Sequence, residues 1–202
     1  MPKNCEPHPG RSPYIAFVLL FFLILTSYSN TFYSSWHLDD EANITGNSRI
    51  HIKALTPDSI MGTFYASPVS AGKMYRPVAN LTFALNWYVG KNKVTGYHIV
   101  NVAVHLVTAF LLYLTIINLY RTPKLENLYE PASGHFIAFL AAALWAVNPI
   151  QTQAVNYIVQ RMAILAAMFY LCGVYFYVKF RLADTSSTVS YTHLTLPTTP
   201  YV

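Results

Sequence analysis

The segment Trp36-His37-Leu38-Asp39-Asp40-Glu41 sets three consecutive carboxylates behind a tryptophan and a histidine. A carboxylate can take the proton of an acceptor hydroxyl when its pKa suits the task. Arg76 and Arg161 supply guanidinium groups, whose planar fork suits bidentate contact with phosphate. His98, Asn101 and His105 recur at spacings of three and four, and so share one helical face. Asn148, Gln151 and Gln153 lead into Arg161. Carboxylates and arginines gathered at one membrane surface suit group transfer from a lipid-linked phosphate donor to a hydroxyl acceptor.

Plainer readings stand beside this one. Acidic residues favour the first turn of a helix, so Asp39, Asp40 and Glu41 also read as a solvated helix start. Arg76, directly before Pro77, also reads as a headgroup anchor. His98, Asn101 and His105 read as interhelical hydrogen-bond partners in preference to a metal site, and no His or Cys spacing resembles a zinc motif. Asn43-Ile44-Thr45 and Asn80-Leu81-Thr82 match the glycosylation sequon, a pattern common by chance.

The elements that must hold these residues are read from the apolar runs. The chain of 202 residues is 54% hydrophobic and only 10% charged, against about 25% charged in a soluble domain. An all-α membrane protein is therefore expected. The net charge of +5 is scattered at the ends of apolar runs, which argues against a nucleic-acid partner. Spans are expected at about 14–29, 97–119, 135–148 and 162–178, with a long extracytoplasmic loop over 30–96. Within that loop Pro57 looks like a helix start, and a second helix is expected after Arg76-Pro77. Lys3, Arg11, Arg121, Lys124, Lys179 and Arg181 then all fall on the cytoplasmic side.

Residues 1–13 read as a cytoplasmic leader. Residues 183–202 read as a non-native tail, because Val189 to Thr199 resembles an in-frame translation of a sequencing-library adapter. The natural chain is expected to continue past Ala183. Cys5 and Cys172 suggest neither a disulfide framework nor a metal pair.

Four pieces taken in order carry a resemblance: W-x-L-D-D-E-x-N-I (36–44), Y-R-P-V (75–78), G-Y-H-I-V-N-V-A-V-H-L (96–106) and N-P-I-Q-T-Q-A-V-N-Y-I-V-Q-R (148–161). Together they resemble membrane glycosyltransferases of the GT-C fold, above all the transmembrane and tetratricopeptide-repeat O-mannosyltransferases and their bacterial relatives. The resemblance implies that residues 14–182 form the N-terminal part of such a fold, truncated here and inactive by itself. It implies transfer of a sugar, mannose foremost, from a polyprenyl- or dolichyl-phosphate donor to protein Ser or Thr with inversion. It leaves a divalent metal open. Asp39 and Asp40 would take the catalytic place, with Asp40 favoured as base. Arg76 and Arg161 would bind the donor phosphate, supported by Glu41, His98, Asn101 and Gln153. Asn148 stands where the family often has His, and Gln153 where it often has Glu, which removes a second acidic role there. A bacterial inner membrane is favoured over the endoplasmic reticulum. The alternative reading is a non-catalytic membrane scaffold that anchors a repeat domain for protein binding. A transporter segment would carry more ionisable residues at mid-span than His105 alone.

Overall fold

A computed structural model of the chain describes residues 11–66, 75–126 and 130–183. Most of the leader and residues 184–202 of the tail thus lie outside the described residues. Those residues form seven α-helices joined by short 3-10 and π turns, with no strand among them. The result is the expected all-α membrane architecture.

Two helices are long and apolar enough to cross a bilayer. One is α4 (Val94–Tyr120), and the other is α7 (Arg161–Ala183) together with the 3-10 turn Ile158–Gln160 that opens it. At 1.5 Å per residue each reaches nearly 40 Å, beyond the roughly 30 Å of a hydrocarbon core. Two shorter apolar helices accompany them, α1 (Arg11–Ser27) and α5 (Pro131–Ala146). The helix α5 starts four residues before the span expected at 135–148 and stops two residues before its end. Pro131 occupies the first helical turn, where a missing N–H does no harm, and Pro149 prevents continuation past the Asn148 turn. The long loop holds two further helices, α2 (Pro57–Phe64) and α3 (Pro77–Gly90), each opened by the proline that marked it in the sequence. A short α6 (Gln151–Asn156) lies between α5 and α7.

The four apolar helices alternate in direction, as their end contacts show. Gly134 near the start of α5 faces the ring of Tyr120 at the end of α4. At that end Ala16 and Leu20 of α1 pack with Tyr113 and Ile117 of α4 and with Ala138 and Ala142 of α5. Small residues let these backbones approach, which matters where lipid supplies no hydrophobic drive between helices.

The opposite end is polar. Ala146 closes α5, so its carbonyl has no intrahelical donor. Tyr28, just after α1, donates its hydroxyl to that carbonyl at 3.0 Å, and His105 Nε2 of α4 lies 2.9 Å from the same oxygen. The His105 ring also stacks on Trp145. Asn101 donates its amide to the Val155 carbonyl of α6 at 3.1 Å. His105 and Asn101 thus hold spans together, the interhelical role read from their spacing.

The centre of this polar end is Arg161, which is 0% exposed. Its Nε donates to Asn101 Oδ1 at 2.7 Å and Nη2 to the Tyr97 carbonyl at 2.9 Å, both on α4. Nη1 donates to Asn86 Oδ1 at 2.6 Å and to Thr82 Oγ1 at 3.4 Å, both on α3. The guanidinium also lies 4.7 Å from the centre of the Phe83 ring. A buried cation survives only with such compensation. Replacing Arg161 by Ala leaves the buried Asn101 amide oxygen and the half-buried Asn86 amide oxygen short of a donor, with an expected loss on the order of 3 kcal/mol. Arg161→Lys retains the charge but not the fork, and should fall between. Thermal unfolding in detergent checks this ordering; equal melting of Arg161→Ala and the unmodified protein would refute the hub.

Candidate functional site

The acidic run is reached through a strained residue. Leu38 has φ 32°, a left-handed backbone that a leucine seldom adopts, and its side chain is 89% exposed. Asp39 and Asp40 begin a helical turn that widens into a π turn over Glu41–Thr45, closed by Gly46 N–H donating to the Glu41 carbonyl at 2.7 Å. Single π turns recur at functional sites.

The two aspartates occupy opposite environments. Asp40 is fully buried. One carboxylate oxygen accepts from the His37 N–H at 3.0 Å and the other from the Val159 N–H at 2.8 Å. The Asp40 N–H donates in turn to the His37 carbonyl at 2.8 Å, which closes the turn. The bond from Val159 clamps the loop to the turn that opens α7, two residues before Arg161. Burial pushes the Asp40 carboxyl above the usual aspartate value, and the two backbone N–H groups act against it. Asp39 and Glu41 are exposed. The Asp39 N–H donates to the Tyr157 hydroxyl at 3.1 Å, and the carboxylate of Asp39 also interacts with that hydroxyl. Burial keeps Tyr157 protonated to higher pH than usual, opposed by the Asp39 backbone N–H and reinforced by the Asp39 and Asp40 carboxylates. A protonated phenol can donate to the Asp39 carboxylate and orient it.

Beneath the acidic turn lie His98 and Asn101, both buried. His98 has neither ring nitrogen in a well-formed hydrogen bond, although the Ser34 backbone is close to it. Asn101 is spent on Arg161 and Val155. Arg161, expected from the sequence to hold a donor phosphate, presents no exposed surface. Its donors serve acceptors on α3 and α4. Asp40, expected as the base, is likewise engaged on both oxygens, and Asp39 is the accessible carboxylate. Arg76 stands half-buried at the N-cap of α3. Gln153 is exposed on α6.

Sequence reasoning missed Tyr157, Asn86 and Thr82 as participants. Thr82 and Asn86 are four apart on a largely apolar helix, a spacing that could have marked a polar face turned inward. Of the two sequon asparagines, Asn80 is buried, and the half-buried Asn43 donates its amide to the Asp39 carbonyl at 2.8 Å. Among the described residues no three His, Cys, Asp or Glu side chains converge to hold a metal ion.

No protein-family profile matches the chain, and no solved structure does. Curated relatives do. The chain is 30% identical over 189 residues to Protein O-mannosyl-transferase F38B6.6 of Caenorhabditis elegans, covering 88% of this chain and 26% of that protein. It is 28% identical over 171 residues to Protein O-mannosyl-transferase TMTC3 of Mus musculus, covering 83% of this chain and 17% of the relative. With Protein O-mannosyl-transferase TMTC4 of Homo sapiens the identity is 27% over 181 residues, or 86% of this chain and 24% of the other. The chain thus spans about a quarter or less of these relatives' length. All three are animal proteins, and the favoured bacterial inner membrane finds no support among them. By sequence, the chain is a relative of the protein O-mannosyl-transferases over more than four-fifths of its length, as its four motifs suggested.

Proposed function

We propose that this chain forms the acceptor-activating part of a membrane glycosyltransferase. The whole protein would move a sugar, mannose by analogy with the relatives' names, from a polyprenyl- or dolichyl-phosphate carrier to a protein Ser or Thr hydroxyl. The observation that carries the reading is the division within the acidic pair: Asp40 is buried as a clamp and Asp39 is exposed beside the Tyr157 hydroxyl.

In this reading Asp39 takes the proton of the acceptor hydroxyl as its oxygen attacks the anomeric carbon. The bond from that carbon to the donor phosphate oxygen breaks, and the lipid phosphate leaves with the bonding electrons. Attack opposite the leaving group inverts the configuration. Tyr157 and Asp40 are positioning residues, and Arg76 remains the candidate contact for the phosphate. The polar end would face the extracytoplasmic side, since Arg121 and Lys124 follow the opposite end of α4 and Lys179 and Arg181 lie in the closing turns of α7. The animal relatives favour a eukaryotic membrane.

The test is a transfer assay on the full-length protein with a lipid-phosphate mannose donor and a Ser/Thr acceptor peptide. Asp39→Asn should lower kcat by about 100-fold or more while melting is unchanged, because a general base contributes about 10²- to 10⁴-fold. Tyr157→Phe should give a smaller loss of kcat. Full activity in Asp39→Asn would remove it as base. If the unmodified full-length protein transfers sugar from no lipid-linked donor, the scaffold reading replaces this one.

A second expectation concerns pH and stability. Asp40 has a raised folded-state pKa, so its protonated form is favoured by folding. That contribution is fully present below the ordinary value of 3.8 and is lost as pH rises through the higher folded value. Melting temperature should therefore decline across this window, and the Asp40-dependent part of the slope should vanish in Asp40→Asn. An unchanged slope in the variant would show that Asp40 does not titrate with folding.

A further inference from the structure

The loop between α1 and α4 carries a second polar feature that the acidic pair does not use. Arg49 in the 3-10 turn Ser48–Ile50 is followed at alternate positions by His51 and Lys53 on an irregular stretch. With Ile52 and, from α2, Ser59 and Gly62, they line a cleft of about 460 Å³. No carboxylate lines it, and Asp58 in the first turn of α2 is not among the lining residues.

The cleft is built rather than incidental. The His51 ring lies flat on the Trp87 indole, with centroids 3.4 Å apart and planes 9° from parallel, which fastens the stretch to α3. His51 Nε2 is 2.9 Å from the Ile44 carbonyl. A carbonyl only accepts, so Nε2 carries the proton and Nδ1 is the remaining nitrogen. Ser59 Oγ accepts from the Thr56 hydroxyl at 2.8 Å, which leaves its own proton to donate. Arg49 and Lys53 are exposed, with Arg49 reaching the Tyr65 carbonyl only at 3.5 Å. Leu55, Met61 and Tyr65, from the same segments, are exposed apolar or aromatic residues, as in a site seated at a membrane surface.

We infer that this cleft binds a phosphate ester through Arg49, Lys53 and the Ser59 hydroxyl, supplied either by an anionic phospholipid headgroup or by a soluble phosphate ester. Arginine offers a fork, lysine a point charge and serine a single donor, a set matched to the oxygens of one phosphate. The inference is read by binding alone and does not depend on sugar transfer.

The experiment uses the full-length protein in two arms. In one, glycerol 3-phosphate is titrated calorimetrically. In the other, native mass spectrometry compares retention of phosphatidic acid with that of phosphatidylcholine. Binding is expected in at least one arm, weakened about 5-fold by Lys53→Gln and about 30-fold by Arg49→Gln with Lys53→Gln. It should also weaken as salt rises, because both cations are exposed. Lys91→Gln, outside the cleft, should change nothing. Lys53 is an exposed side chain on a bend, so its single replacement reads the charge even if the double variant folds poorly. Retention in the lipid arm alone assigns a headgroup, and binding in the soluble arm alone assigns a free phosphate ester. Binding in neither arm, or affinity unchanged by Lys53→Gln, overturns the inference.

Discussion

The buried guanidinium of Arg161 is the constraint from which the polar end of the molecule follows. A cation removed from water must find acceptors within reach of its fork, and those acceptors come from two helices distant in sequence. Asn101 and Tyr97 place the start of α4 against it, and Asn86 with Thr82 does the same for α3. Because Asn101 also donates to Val155, the residue that fixes Arg161 also fixes the exit of α6. Three helices and a turn therefore meet at one point for electrostatic reasons, where apolar packing alone would leave their register loose.

The acidic turn depends on that meeting point. Val159 is positioned because Arg161 is, and its N–H holds one oxygen of Asp40. With Asp40 drawn inward, the same helical turn leaves the preceding carboxylate, Asp39, exposed. The chain enters this turn through Leu38, whose positive φ carries the backbone strain. Adjacent identical side chains thus acquire different chemistry from different surroundings, one burying its charge as a clamp and one keeping it accessible.

The other end of the helices is governed by shape. Alanines on α5 let α1 and α4 approach closely, and Tyr113 finds His135 at 2.8 Å as one polar bond amid apolar contacts. Arg121 and Lys124 follow α4 there, and Lys179 and Arg181 lie in the closing turns of α7, away from the acidic turn. The molecule therefore separates a plain, basic end from a polar end where chemistry can be arranged, and the animal O-mannosyl-transferases to which it is similar share this segment in sequence.

Much of this was legible before any coordinates. Long uncharged runs can satisfy their backbone in a membrane only as helices, so the apolar elements and the class of fold follow from composition. Pro57 and Pro77 marked α2 and α3 because proline tolerates the first turn and little else. The three-four spacing of His98, Asn101 and His105 put them on one inward face, and two of the three now bond across helices. The burial and partners of Asp39, Asp40 and Arg161 were not legible. Local sequence cannot say which of two adjacent carboxylates meets the Val159 N–H, 119 residues away. Nor can it say whether an arginine at a helix start faces a ligand or the oxygens of Asn86 and Asn101. The sequence by itself determined which segments are helical and where polar groups gather. Tertiary structure alone decided which of those groups are spent on one another and which remain accessible, because burial and partnership are properties of distant segments brought together.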